Sequence, residues 1–471
     1  MVRQGNDDTM EGGMNRRQFL SLLAGSAAAV ALPRLAWGQT AASAARKPNL
    51  IIIFTDNQGY QDLGCFGSPN IKTPAIDRMA AEGMKFTDFY AAAPVCTPSR
   101  AGIMTGCYAN RVSLAKGVLK PNSTTGLNTS EITIARLLKS QGYATACIGK
   151  WHLGHLPEFL PTRHGFDSYF GSPLSIEGGT PQPPFLVENE TVVEKPGRRD
   201  NLTARYTQRA VQFITEHRNE PFFLYLPHSD PHVPLEADER FRGKLARGLY
   251  GDVMECVDWS TGEILRTLKD VGLDDNTLVV FTSDNGPYPL GKPDAGSAFP
   301  LQGGLGDVYE GGMRVPCVMR WPGKIPVGTV CREIATTMDL LPTFAALAGT
   351  AAPRDRVIDG KDIRGLMFDP HAPSPTQAVY YHDHDGELGA IRCGKWKFHL
   401  AGTRRVNYKT QSVPAQLYDL ETDISEKHNV IAEHADLAQR LDRMARQFKN
   451  EVEKNARPIG KVASPPATAP S

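Results

Sequence analysis

Short, unbroken apolar runs alternate with amphipathic stretches through most of this chain. Four of the runs are NLIIIFTDNQG (Asn49–Gly59), ATACIGKWHLG (Ala144–Gly154), FFLYLPHSDPHVP (Phe222–Pro234) and TLVVFTSDNG (Thr277–Gly286). Strands that are apolar at successive positions, rather than at every second one, are covered on both faces, as in a parallel sheet. Between them, SEITIARLLKSQG (Ser130–Gly142), ARYTQRAVQFITEH (Ala204–His217) and YGDVMECVDWSTGEILRTLKDVG (Tyr250–Gly272) carry helical spacing. The alternation predicts an α/β domain in which helices cover both faces of a large, mostly parallel sheet.

One more helix is expected in PVCTPSRAGIMTG (Pro94–Gly106). Proline fits a first turn, where its missing N–H has no intrahelical acceptor. Cys96 then stands at a helix start close to Arg100, where free N–H groups and the dipole favour anions.

The pattern changes at the Pro-rich HAPSPT (His371–Thr376). AVYYHDHDGELGAIRCGKWKFHL and QLYDL then read as short strands, and ISEKHNVIAEHADLAQRLDRMARQFKNEVEK (Ile424–Lys454) as a helical end. The expected organisation is a main domain over residues 46–372, followed by a C-terminal subdomain over 373–455 with a smaller antiparallel sheet and a helix. The final ARPIGKVASPPATAPS, residues 456–471, reads as a disordered tail.

Residues 1–45 read as an export signal rather than as part of the fold. Arg16 and Arg17 precede an apolar run from Phe19 to Leu32, and small residues follow, with cleavage expected after Gly38 or within Ala41–Ala45. The paired arginines resemble a twin-arginine signal, which hands folded proteins to the export machinery; an ordinary secretory signal is the alternative. Either implies a periplasmic or secreted protein, with no membrane span once the signal is removed.

Composition narrows the partners. Lys and Arg total 52 against 51 Asp and Glu in 471 residues, a net charge of +1, and no basic block suggests nucleic acid. Any anion site must therefore be local. The eight cysteines show no CxxC or metal-type spacing, which argues against zinc; an exported chain permits disulfides, whose pairing the sequence leaves open.

The strand ends share a chemistry. Asp56-Asn57 and Asp284-Asn285 each close an apolar run and lead into glycine. One such pair is ordinary turn or cap chemistry, but two, placed at the carboxyl ends of parallel strands, bring four oxygen ligands to one sheet edge. That set suits calcium or magnesium. The other two runs deliver Lys150 with His152, and His228 with His232. A single histidine there is ordinarily structural; acids, a lysine and histidines together can hold a metal, bind an anion and move protons.

With these residues assembled, the chain resembles the formylglycine-dependent sulfatases (type I). CTPSRAGIMTG looks like their signature, and DNQGYQDLG, GKWHLG, HSDPHVP, SDNG and YEGGMRVP follow in family order, with LYDLETDISEKHN near the C-terminus. The resemblance implies an alkaline-phosphatase-like α/β fold and a sulfuric ester hydrolase. It further implies that a maturation enzyme oxidises Cys96 to formylglycine. A hydrated aldehyde has one hydroxyl to attack sulfur and another whose deprotonation expels the sulfate and restores the aldehyde.

By position, residue 96 would be nucleophile and metal neighbour, and Asp56, Asn57, Asp284 and Asn285 would bind one calcium ion. Asp284 would also help deprotonate the attacking hydroxyl. Arg100 would hold the hydrate, Lys150 a sulfate oxygen, His152 the proton taken up during sulfate release, and His232 the leaving alcohol. His228 would lie nearby without a direct role, and Glu310 with Arg314 would form a structural ion pair.

Three positions depart from the family pattern: Asn57 where a second aspartate is usual, Leu305 where a lysine points at the sulfate, and Ile424 where proline is usual. Lys292 is a candidate replacement for the missing lysine. The leading reading is a sulfatase acting on a sulfated saccharide or an aryl sulfate, with His384 or Asp385 of the YYHDHDGELGAIR run as a possible sugar contact. The alternatives are a phosphodiester or phosphonate monoester hydrolase of the same superfamily, and a catalytically silent binder of sulfated glycan.

Overall fold

The computed structural model describes residues 46–175, 185–194, 201–288, 295–406 and 409–462. The export signal expected over residues 1–45 lies outside them. From Arg46 onward the chain forms one compact unit.

Its centre is a ten-stranded sheet. In chain order the strands are β1 (Asn49–Thr55), β2 (Met84–Phe86), β3 (Ala144–Ile148), β4 (Ser168–Gly171), β5 (Leu186–Glu188), β6 (Thr191–Glu194), β7 (Phe222–Pro227), β8 (Thr277–Ser283), β9 (Cys317–Arg320) and β10 (Thr329–Cys331). Across the sheet they run β10-β2-β9-β8-β1-β7-β3-β4-β5-β6. The middle block β8-β1-β7-β3-β4 is parallel, and it contains all four strands read from apolar runs. The shorter strands flanking this block were not anticipated, and antiparallel pairs at β9 and β5 interrupt the parallel order.

Successive residues of the central strands enter opposite cores. Leu50, Ile52 and Phe54 join Leu278 and Val280 on one face, against helices Cys96–Thr105 and Leu340–Leu347. Ile51, Ile53, Val279 and Phe281 face the other way, against helices Leu202–Glu216 and Leu249–Asp270. Each such side chain, taken fully out of water, stabilises the fold by about 1.5–3 kcal/mol, so unbroken apolar runs are what this position demands. Helices therefore cover both faces, as expected. No helix of the described residues is long and apolar enough to cross a membrane.

A four-stranded antiparallel sheet follows, built from Ala378–His382, Leu388–Cys393, Trp396–His399 and Gln416–Asp419 and backed by the helix Ala435–Lys454. The helix expected from Ile424 starts eleven residues later, at Ala435. The earlier segment cannot coil because Glu426, buried and with φ 53°, gives its carboxylate to Lys397, His399 and the Glu310 N–H.

The tail also begins later than expected. Residues 456–462 are folded: Gly460–Lys461 pairs with Thr125–Gly126, and Arg457 binds the buried Glu131 at 2.8 Å. Proline-rich composition suggested disorder here, but one arginine with a buried partner outweighs it. Residues 463–471 lie outside those described. All eight cysteines are free thiols.

Glu310 and Arg314 do form an ion pair, at 3.4 Å, within a larger buried network. Tyr90, Tyr381 and Lys397 also bind Glu310, and Arg392 joins through Asp88. The network rivets the smaller sheet to the body of the protein.

Candidate active site

The parallel ladder continues one step beyond its strands. Asp284 N–H donates to Thr55 O (3.0 Å), His228 N–H to Phe54 O (2.8 Å) and Lys150 N–H to Pro227 O (2.7 Å). Because β1 and β8 pair Thr55 with Ser283, Asp56 and Asp284 emerge side by side. Gly149 permits the close approach at β3: a Cβ there would lie 1.9 Å from Pro227 O, and its φ is 136°. Asn57 (φ 61°) and His152 (φ 59°) both adopt the left-handed region, which Asn and His enter more readily than most non-glycine residues.

Cys96 opens the helix Cys96–Thr105, with Pro98 in its first turn and Gly106 in the left-handed conformation at its end. Every residue of this helix is buried. The Cys96 thiol lies 3.4 Å from Asp56 Oδ1 and 3.9 Å from Asn57 Oδ1. Burial, reinforced by the Asp56 charge, pushes this thiol well above its ordinary pKa.

Two cations face the carboxylates. Arg100 Nη2 contacts Asp56 Oδ2 at 2.9 Å and Asp284 Oδ2 at 2.8 Å, while its Nη1 donates to Lys150 O. Lys150 Nζ binds Asp56 Oδ2 and Ser175 Oγ. Burial alone would raise both acids. For Asp56 the charges of Lys150 and Arg100 outweigh it and hold the carboxyl well below its usual range. For Asp284 burial and the adjacent Asp56 charge prevail, raising it to about 6.

His152 Nε2 meets Leu119 O at 3.0 Å. A carbonyl only accepts, so Nε2 carries the proton and Nδ1, buried and without a partner among the described residues, presents its lone pair. His232 Nδ1 likewise donates to Val233 O. A ligand atom of His232 lies within 4.8 Å of both the Asp56 carboxylate and the Cys96 sulfur.

The expected residues Asp56, Asn57, Cys96, Arg100, Lys150, His152, His232, Asp284 and Asn285 thus converge. His228 does not: it turns away to Ser260 Oγ at 3.3 Å, where burial lowers it to about 4. Leu305 stands at the rim, its N–H on Pro287 O and the next residue's N–H on Pro94 O, both 2.8 Å. Lys292 lies outside the described residues. Sequence reasoning missed Thr97, whose hydroxyl donates to His152 O and accepts from Leu119 N–H. It occupies the variable position of the Cys-x-Pro-Ser-Arg run, so no motif marked it.

The residues fit a divalent cation. Asp56, Asn57, Asp284 and Asn285 supply oxygens, and the fully buried Asn285 Oδ1 has no donor among the described residues. Meanwhile Asn285 Nδ2 donates to Asn57 Oδ1 at 2.6 Å. An orphaned acceptor beside two buried carboxylates is what a hard cation would satisfy.

Comparison with known proteins agrees with this chemistry. Residues 48–350 match the Sulfatase family model, and residues 307–455 match the N-sulphoglucosamine sulphohydrolase C-terminal model. The chain belongs to the sulfatase family and is a sulfuric ester hydrolase. Its relatives include arylsulfatase A of Bos taurus, 37% identical over 430 residues and covering 83% of this chain and 84% of that protein. Another is N-acetylgalactosamine-6-sulfatase of Mus musculus, 39% identical over 397 residues, covering 78% and 74%. Among solved structures, Ps i-CgsB matches with a TM-score of 0.78 at 32% identity, covering 88% of this chain and 94% of that one. The fold is alkaline-phosphatase-like, and it extends to the phosphonate monoester hydrolase of Agrobacterium radiobacter (TM-score 0.61, 19% identity, covering 86% and 96%).

Proposed function

We propose that this protein is an exported sulfatase that hydrolyses a sulfate ester of a carbohydrate or aryl alcohol. Residue 96 would be matured to formylglycine by a separate enzyme, and one calcium ion would be held by Asp56, Asn57, Asp284 and Asn285. The observation that carries this reading is the placement of Cys96, 3.4 Å from Asp56 and buried at a helix start. A thiol whose pKa is raised by burial is a poor nucleophile, so the position makes chemical sense once the sulfur is replaced. The oxygen-only donor set favours calcium over zinc.

The cation would supply Lewis-acid polarisation of a sulfate oxygen. The remaining work falls to side chains of this chain. Arg100 pairs with both carboxylates and orients the hydroxyls on residue 96. Lys150, already within the site, pairs with a sulfate oxygen. The Nδ1 lone pair of His152 accepts a proton during sulfate release, with Leu119 O fixing the ring. His232 serves the leaving alcohol.

Other readings have less support. The likeness to the phosphonate hydrolase is at 19% identity and speaks to fold alone, whereas sulfatases match at 37–39%. A silent glycan binder would have no need to keep the full set of ionisable groups. Export rests on the N-terminal sequence.

The test is production with and without a formylglycine-generating enzyme, followed by mass analysis of the peptide carrying residue 96 and assay on 4-nitrophenyl sulfate. An aldehyde mass and matching sulfate release are expected, and Cys96→Ala should fold yet lack turnover. An active Cys96→Ala protein would overturn the mechanism.

A further inference from the structure

The helix that begins at Cys96 carries two threonines whose hydroxyls are used differently. Thr105 bonds back to Ala101 O, one turn earlier, as helical threonines commonly do. Thr97, only 1% exposed, reaches out of the helix instead. Its hydroxyl donates to His152 O at 3.0 Å and accepts from the Leu119 N–H at 3.2 Å, partners 55 and 22 residues away. A hydroxyl has one hydrogen, so its donor is committed to His152 and a lone pair to Leu119.

These two bonds close a ring with a third. Leu119 O accepts from His152 Nε2 at 3.0 Å, so the residue that Thr97 holds by its N–H holds the imidazole by its C=O. Leu119 lies between the short helix Ala109–Val112 and the strand Thr125–Gly126, in a stretch with no helix or strand of its own. No ladder fixes the backbone there, so the direction of the Leu119 C=O depends on side-chain partners. His152 is fully buried, and its N–H goes to Pro173 O at 3.2 Å. Thr97 takes its carbonyl and Leu119 its Nε2, which leaves Nδ1 as the ring nitrogen without a partner among the described residues.

We propose that Thr97 is a positioning residue for His152: its hydroxyl clamps Leu119 to the His152 backbone, so that the ring keeps the tautomer in which Nδ1 is the acceptor. The proposal rests on the sulfatase reading, in which Nδ1 takes a proton during sulfate release. In this role Thr97 touches no substrate atom and acts only through His152. One small side chain must both donate and accept, so serine can serve, whereas valine, of nearly the same shape, cannot. Without the hydroxyl, the His152 C=O and the Leu119 N–H lose their partner in a largely buried setting. The loop relieves that cost by shifting, and Leu119 O leaves the ring.

The experiment uses Thr97→Val, Thr97→Ala and Thr97→Ser, each made alongside the maturation enzyme and checked for folding by its melting temperature. Turnover of 4-nitrophenyl sulfate is divided by the aldehyde content of residue 96, which separates a positioning defect from poor maturation. Valine and alanine should each lower kcat by about thirtyfold or more, the scale of loss from a misplaced catalytic group, with KM within about threefold. Serine should recover most of that loss. Against His152→Ala the effect should vanish, so that adding Thr97→Val costs less than about threefold. A second readout needs neither maturation nor turnover: NMR of protein labelled on its histidine ring nitrogens, with the His152 signal assigned by its absence from His152→Gln. Wild type and Thr97→Ser should show a protonated Nε2, and Thr97→Val should lose that fixed tautomer. Near-wild-type kcat in the valine and alanine variants, an undiminished loss in the His152→Ala background, or an unchanged tautomer in Thr97→Val would refute the proposal, while wild-type turnover leaves the sulfatase reading standing. Matured wild-type protein that releases no sulfate from aryl sulfate or sulfated saccharides would overturn both.

Discussion

Asp56 and Asp284 stand abreast on adjacent parallel strands, and a single nitrogen of Arg100 contacts both, at 2.9 and 2.8 Å. Two buried carboxylates this close repel: burial and the Asp56 charge raise Asp284 to about 6, while Lys150 and Arg100 hold Asp56 well below its usual range. Arg100 offsets this repulsion directly.

Arg100→Met should abolish turnover and lower stability by about 3–5 kcal/mol, because it leaves two buried charges with too little compensation. Thermal unfolding checks this. Added calcium should recover part of the lost melting temperature. An unchanged melting temperature would show that the carboxylates do not depend on Arg100.

Chelation should reduce sulfate release, and calcium should restore it better than zinc. Asp284→Ala should be the more damaging substitution and Asn57→Ala the milder, since only the first removes a charge. Assays after metal stripping and add-back decide the matter; full activity in stripped protein would refute the metal site.

His164 gives a pH dependence independent of the metal. Both of its ring nitrogens are buried without partners among the described residues, beside Trp151, and burial, helped by Arg136, lowers it to about 3. Its folded pKa lies below the unfolded value of 6.5. The neutral ring's contribution is therefore complete above pH 6.5 and is lost as the pH falls towards 3, by about 1.4 kcal/mol per unit. His164→Phe should leave stability at pH 7 unchanged or improved and flatten the loss between pH 6.5 and 5, measured as urea midpoints. An equal acid slope in both proteins would contradict this.

Leu305→Lys should raise kcat/KM for 4-nitrophenyl sulfate by about tenfold or more, because a charge-assisted contact to sulfate is gained at the rim. The backbone bonds of residues 305 and 306 to Pro287 and Pro94 place this position next to the Cys96 turn. Unchanged kinetics would mean that the side chain points elsewhere.

The central strands were legible because burial on both faces leaves no choice of residue: Ile51, Ile52 and Ile53 enter alternate cores and must all be apolar. The residues that gather at the candidate site were legible for a related reason. Acids, lysine and histidines at strand ends are costly unless they work together. The segment after Ile424 misled because helical propensity is a weak preference, overridden once Glu426 found Lys397 and His399. Arg457 misled in the same way, through a partner 326 residues away.

By itself the sequence determined which groups the site contains and which strands deliver them, because both follow from local residue type and spacing. Only the tertiary structure decided how those groups are poised. The Thr55–Ser283 register set the two aspartates abreast, Leu119 fixed the tautomer of His152, Thr97 locked that loop to the helix of Cys96, and the smaller sheet brought His384 to the rim. Those relationships depend on contacts between residues far apart in the chain, and charge, hydrogen bonding and burial act through distance in space, which no local pattern encodes.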